Sequence, residues 1–319
     1  MYIALGCISV IIHIIIHEAG HYFAGRLSGY KFVSFRVFQF TFVRENGRIK
    51  VKKYHIPGSG GQCLMKPPER REGTYPTIFY NLGGSLLNFA VSAVTLYFGW
   101  YIFALPGFAA GLLNIIPMKF NSIPNDGYNA LTLWRKPKER TAFWLLLRIN
   151  AMATKGRRLS EMPAEWVEML FKMGLEDVLS VNAALYRFNY LLEINEIEKA
   201  REFGEYVINN VEINVDFFKN EITCALIFLE IINERRIDII EKLYTDKINR
   251  HIKTMKIFPC KQRLLYAYAK LVSRDSEAAD AARRKFIKNC AFSPFKGAME
   301  CERILMKLVD ALEVNINAQ

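Results

Sequence analysis

MYIALGCISVIIHIIIHEAGH, residues 1–21, carries no charge until Glu18 and sets two histidines and a glutamate at the end of an apolar run. A run this long and apolar reads as a membrane-spanning helix. It resembles a signal peptide, but a basic leading region is missing and no A-x-A site follows, so it is expected to remain as a span. Polar groups at such a depth are expensive unless they coordinate something or line a wet cavity. These residues therefore point at once to a fold and to a site.

The rest of the chain divides by charge. Of the 319 residues, 51% are apolar and 23% charged, which argues against disorder. Residues 1–134 hold 12 Lys+Arg and 5 Asp+Glu, whereas residues 135–319 hold 31 and 26. No basic residue precedes Arg26, eleven fall between Arg26 and Arg71, and Thr77–Met118 has no charge at all. Apolar spans alternating with a basic loop follow the positive-inside rule, so the net charge of +12 is read as topology, with no nucleic-acid partner. Spans are expected over about 1–24, 77–103 and 108–134, with Leu105-Pro106-Gly107 as the outer turn. The N-terminus then lies outside and the C-terminus in the cytosol, with the bacterial cytoplasmic membrane as the expected location. Six cysteines without a C-x-x-C pair suit a reduced, cytosol-facing protein.

Between the first two spans, about 32–56, Asn46-Gly47 joins two β-prone runs and predicts a hairpin. Phe38, Phe40 and Phe42 share one of its faces and are expected to lean on the membrane. The glycine cluster at 57–61 has no phosphate-loop context. From about 141 to 319 the pattern is helix after helix, with hairpins over 182–208 and helices within 221–242 and 262–288. This is a cytosolic α-helical domain, loosely like a tetratricopeptide solenoid, and reads either as a docking surface for a cytosolic protein or as a plain bundle. The expected fold is thus an all-α membrane protein: a three-span core with a small cytosolic β-hairpin over 1–140, then the helical domain.

His17-Glu18-Ala19-Gly20-His21 carries the chemistry. Residues i and i+4 share a helix face, so His17 and His21 can offer two imidazoles to one zinc ion. Glu18 projects beside them and can take a proton from a water held there. His13 lies on the same face, but residues eight apart are separated by about 12 Å of rise, so His17 and His21 are the pair and His13 a supporting or packed group. A hydrolytic zinc needs a third protein ligand and an open position. Asp126 is the only acidic residue between Glu72 and Glu139. It comes about 27 Å along the third span and His17 about 24 Å along the first, both running inward. Asp126 can also cap the helix that follows it.

These residues resemble the site-2 protease family of intramembrane zinc metalloproteases over roughly residues 1–135. Three motifs carry the likeness: HEAGH, then Gly84-Ser85-Leu86-Leu87-Asn88, then Asn114-x-x-Pro117 followed by Asp126-Gly127. Ser85 stands where the family usually has proline, and Asp126 comes nine residues after Pro117 where the family usually has five. The resemblance implies one zinc per chain on His17, His21 and Asp126, with Glu18 as general base. It implies that Asn88 and Asn114 hold substrate backbone or steady the oxyanion, although both can equally be interhelical hydrogen-bonding groups. The substrate is then a membrane-embedded or membrane-associated protein or peptide, drawn out as a strand against the hairpin edge. A non-catalytic membrane scaffold whose tail docks a cytosolic partner, and a metal-permeation protein, are the competing readings.

Overall fold

The computed structural model describes residues 2–45, 47–120, 123–210 and 216–317. The chain is mostly helical with a small antiparallel sheet, and it divides into two compact units, Met1–Ala151 and Met152–Gln319.

In the first unit, α1 (Tyr2–Leu27) and α2 (Ile78–Tyr97) are long and apolar enough to cross a membrane. Their burial is inverted relative to a soluble helix. α1 buries Ser9, His13, Glu18, Gly20 and His21 and exposes Leu5, Ile8, Ile12 and Ile15. α2 buries Gly83, Gly84, Ser85, Asn88 and Ser92 and exposes Leu86, Val94 and Leu96. Small and polar residues at the interface with aliphatics outside is the arrangement of helices whose solvent is hydrocarbon. A methyl at Gly20 would overlap the Gly83 carbonyl, so two glycines set this close crossing.

The third apolar stretch departs from expectation. The chain reverses at Phe98–Trp100, where Gly99 takes φ +75°, and α3 runs Tyr101–Ile115 with Pro106 inside it. Leu105-Pro106-Gly107 is therefore not the turn; the left-handed residue a reversal needs is supplied earlier. Nor is 108–134 one helix. Beyond Ile115 come β5 (Lys119–Phe120), β6 (Ile123–Pro124) and α4 (Asp126–Arg135). Pro117 and Pro124 cannot donate to a helix and bias the residue before each away from helical geometry.

Between α1 and α2 lies a four-stranded antiparallel sheet rather than a lone hairpin: β1 (Lys31–Val37), β2 (Phe40–Glu45), β3 (Arg48–Lys53) and β4 (Gly61–Lys66), in the order β3-β2-β1-β4. The β2–β3 hairpin turns where expected, with Glu45 opposite Arg48 and Gly47 at φ +79°. Asn46 lies outside the described residues. Phe38, at φ +49°, breaks the long predicted strand into β1 and β2. Phe40, Phe42, Ile49 and Val51 remain exposed while Thr41, Val43 and Glu45 face inward. α5 (Pro137–Thr154) follows α4 and carries the division between the units.

Among its described residues the second unit is built of helices and their connections: α6 (Ala164–Lys172), α7 (Val178–Glu193), α8 (Ile197–Asn210), α9 (Asp216–Ile232), α10 (Ile237–Leu243), α11 (Asp246–Thr254), α12 (Pro259–Tyr268), α13 (Ser276–Phe292) and α14 (Lys296–Asn317). Its core gathers on α9, through Ile222, Ile227, Phe228 and Ile231, with Phe188, Ile248, Ile252 and Leu264 around them. Within it Glu221 accepts from Lys261 at 2.9 Å and from His251 at 2.7 Å. Burial alone would raise the Glu221 carboxyl, but Lys261 and the His251 hydrogen bond outweigh it and hold the group down at about 2. A depressed carboxyl stabilises the fold fully above its unfolded value near 4.5, and that contribution drains away as pH falls toward 2. The protection factors of the α9 and α12 amides, taken relative to intrinsic exchange at each pH, are therefore expected to fall steeply between pH 4.5 and 2. Glu221→Gln, which strands the Lys261 ammonium, should cost about 3–5 kcal/mol at neutral pH and remove that acid dependence. A variant as stable as wild type would show that the cluster contributes nothing.

Candidate metal centre

His17 and His21 stand one turn apart on α1, and Asp126 opens α4. The sequence pairs them across 109 residues, and the fold brings three of their atoms together. His17 Nε2 lies 2.8 Å from Asp126 Oδ2, His21 Nε2 lies 3.3 Å from the same oxygen, and the two Nε2 atoms are 3.2 Å apart. Two ligands about 2.0 Å from one tetrahedral zinc are separated by about 3.3 Å, so this triangle has the size of three ligands with a fourth position open. The donor chemistry fits as well. His21 Nδ1 lies 2.8 Å from the Tyr80 carbonyl, which can only accept. Nδ1 therefore carries a hydrogen, which makes Nε2 the nitrogen that can serve a metal at the centre.

Local sequence explains each placement. Gly84 faces the His17 ring, and a methyl there would stand 2.6 Å from its Cε1 and Nε2. Asn88, one turn on, reaches His17 Nδ1 at 3.3 Å. Gly84-Ser85-x-x-Asn88 is thus a seat for an imidazole. Asp126 does not cap α4; Asn125 does, its Oδ1 accepting from the Tyr128 amide at 2.9 Å. That leaves the Asp126 carboxylate free to face the histidines. Gly127 lets α4 start against the end of α3, where a methyl would overlap the Ile115 carbonyl.

The centre opens into a cavity of about 670 Å³ whose walls include Glu18, Asn114, Asn129 and the segment from Ile56 to Leu64. Glu18 is buried and packs on Gly61, where a methyl would overlap its carboxylate. The strand beside the site is therefore β4, and the β2–β3 hairpin lies at the far edge, because β1 is inserted between them. Sequence reasoning missed the group that ties this wall together. Arg36 is buried and donates to the carbonyls of Phe38 and Ser59 at 3.1 Å, to Ser59 Oγ at 2.8 Å and to the Gly61 carbonyl at 2.9 Å. The available signal was an arginine at an inward position of an alternating strand. Asn114 lines the cavity but gives its Nδ2 to the Ala110 carbonyl of its own helix at 3.0 Å. His13 is buried away from the three donors, against Asn88 and the Phe103 carbonyl.

A profile of peptidase family M50 matches residues 5–233. That is well over half of the chain, and the chain belongs to this family, the site-2 proteases. It is a protease of a family of membrane-embedded metallopeptidases. The match runs past the expected 1–135 and into the helical unit. Comparison with curated proteins and with solved structures finds no match.

Proposed function

We propose that the chain is a zinc-dependent intramembrane endopeptidase that cuts a membrane-embedded or membrane-associated protein or peptide. The observation that carries this reading is the convergence of His17 Nε2, His21 Nε2 and Asp126 Oδ2 within 3.3 Å of one another beside a buried glutamate. Those three groups would hold one zinc ion. When bound, zinc in such a site polarises a carbonyl and acidifies a water at neutral pH. Glu18, on the wall of the same cavity, would accept a proton from a water held there and pass it to the leaving amine. Arg36 keeps the β4 wall pressed against Glu18, and Gly61 provides the room.

A helical peptide bond is shielded by its own hydrogen bonds, so substrate must be drawn out before it is cut. β4 borders the cavity and is an edge strand, which suits it to pair with an extended segment. Asn114, on the cavity wall, is assigned to holding substrate backbone. Residues 1–140 form the protease core, which crosses the membrane through α1, α2 and the broken path of α3 and α4. A broken helix is tolerated at that depth where its backbone lines a cavity. The basic residues between Arg26 and Arg71 argue for a cytosolic sheet, and Arg135, Lys136, Lys138 and Arg140 after the third apolar stretch argue for a cytosolic helical unit from 141 onward. That unit is assigned to docking a cytosolic partner.

Metal removal tests the reading. Detergent-purified protein is expected to hold about one zinc per chain and to cleave a general protein substrate such as labelled casein. A chelator should abolish cleavage, and zinc should restore it. Well-folded protein that holds no zinc and is indifferent to chelator would reduce HEAGH to polar packing and leave the scaffold reading in its place.

A further inference from the structure

The zinc reading leaves one buried polar constellation unused. His13 and Asn88 are 1% and 0% exposed, and neither belongs to the three converging donors. They lie in line. The Phe103 carbonyl is 3.0 Å from His13 Nε2, His13 Nδ1 is 3.2 Å from the Asn88 carboxamide, and the other end of that carboxamide is 3.3 Å from His17 Nδ1. The row thus starts on α3, crosses α1 and α2, and ends on the imidazole whose far nitrogen faces Asp126. Ser9 donates to the same Phe103 carbonyl at 3.0 Å. Gly107 provides the space for His13, since a methyl there would overlap its ring, as Gly84 provides it for His17.

Hydrogen-bond chemistry orients the whole row. The Phe103 carbonyl can only accept, so His13 Nε2 carries hydrogen. A neutral imidazole has one N–H, so His13 Nδ1 is bare and needs a donor. The structure draws Asn88 with Oδ1 toward His13 and Nδ2 toward His17. A half-turn of the carboxamide exchanges the two atoms. With one hydrogen on the His13 ring, the turned form is the one that satisfies every group: Nδ2 donates to His13 Nδ1, and Oδ1 accepts from His17 Nδ1. The opposite orientation sets two acceptors against His13. It also gives His17 Nδ1 a donor, which moves the His17 proton onto Nε2 and blocks that atom as a ligand. We propose that the row Phe103 carbonyl–His13–Asn88 fixes His17 as the tautomer whose Nε2 is bare toward the metal centre, making His13 and Asn88 positioning residues. The inference rests on the zinc reading. It also removes Asn88 from substrate binding, since both ends of its amide are engaged.

The test is zinc affinity of the full-length purified protein, measured by competition with a chromophoric chelator, with the spectrum of the cobalt-substituted protein as a second readout. Asn88→Leu keeps the volume and loses both hydrogen bonds; it is expected to bind zinc about 10–100-fold more weakly and to alter the cobalt spectrum. Asn88→Asp keeps an acceptor for His17 Nδ1 and should bind at least as tightly as wild type. Such rescue is not expected of a residue that only fills space. His13→Leu removes the far end of the row and should weaken zinc several-fold; it gives the same answer if Asn88→Leu fails to fold. Wild-type affinity in the two Leu variants, or an Asp variant as weak as Leu, would overturn the inference while leaving the zinc reading intact. Wild-type protein without zinc would overturn both.

Discussion

Glu18→Gln is expected to retain one zinc and to lose about 10²–10⁴-fold in cleavage rate. The three atoms that converge belong to His17, His21 and Asp126, and Glu18 is not among them. Its removal therefore leaves the metal's holders in place. Glu18 is nonetheless buried on the wall of the same cavity, packed against Gly61 with no room to spare. Glutamine has the same shape, so the wall should not move; what disappears is the ability to accept a proton. Zinc analysis and casein cleavage on one preparation decide the matter. Retained proteolysis would end the assignment of Glu18 as base, and loss of zinc would make Glu18 a ligand.

The centre was legible in the sequence because helical spacing is local. His17, Glu18 and His21 need only a helix, and an apolar run guarantees one. Asp126 was found by elimination, as the single acid in a long neutral stretch. What surrounds them was not legible. The β4 wall depends on an arginine 25 residues away donating to the Gly61 carbonyl, a contact that no periodicity announces. Pro106-Gly107 looks like a turn, yet it sits inside α3, and Gly107 serves there to admit the His13 ring. The β2–β3 hairpin, with Glu45 opposite Arg48, was legible because a tight turn depends on local residues alone. The strand that follows the glycine cluster was missed, since its pairing with β1 is set by the tertiary register.

Asp126→Ala and Asn125→Ala are expected to cripple zinc binding by different routes. Asp126→Ala removes one of the three converging donors and should leave no tightly held zinc. Asn125→Ala removes none, yet Asp126 is delivered by Asn125. Its Nδ2 donates to the carbonyls of Leu113 at 2.7 Å and Ile116 at 2.6 Å, while its Oδ1 accepts from the amides of Met118 at 3.1 Å and Tyr128 at 2.9 Å. One side chain thus clamps the end of α3 to the start of α4. The longer spacing between Pro117 and Asp126 is absorbed in between: Lys119 pairs with Pro124, Phe120 pairs with Ile123, and the Asn125 amide meets the Met118 carbonyl at 3.0 Å. Through this pairing the chain returns to itself one residue before Asp126. At about 1 kcal/mol per hydrogen bond, losing four would release α4 from α3 at a cost of up to about 4 kcal/mol. Zinc affinity should fall by at least the 10–100-fold typical of a group that orients a ligand. Asn125→Asp keeps the two accepting bonds and the helix cap but sets a carboxylate oxygen against the Leu113 and Ile116 carbonyls, and should bind zinc more weakly than wild type. Chelator competition across the three variants measures this, and an Asn125→Ala protein with wild-type zinc affinity would show that Asp126 reaches the centre without the clamp.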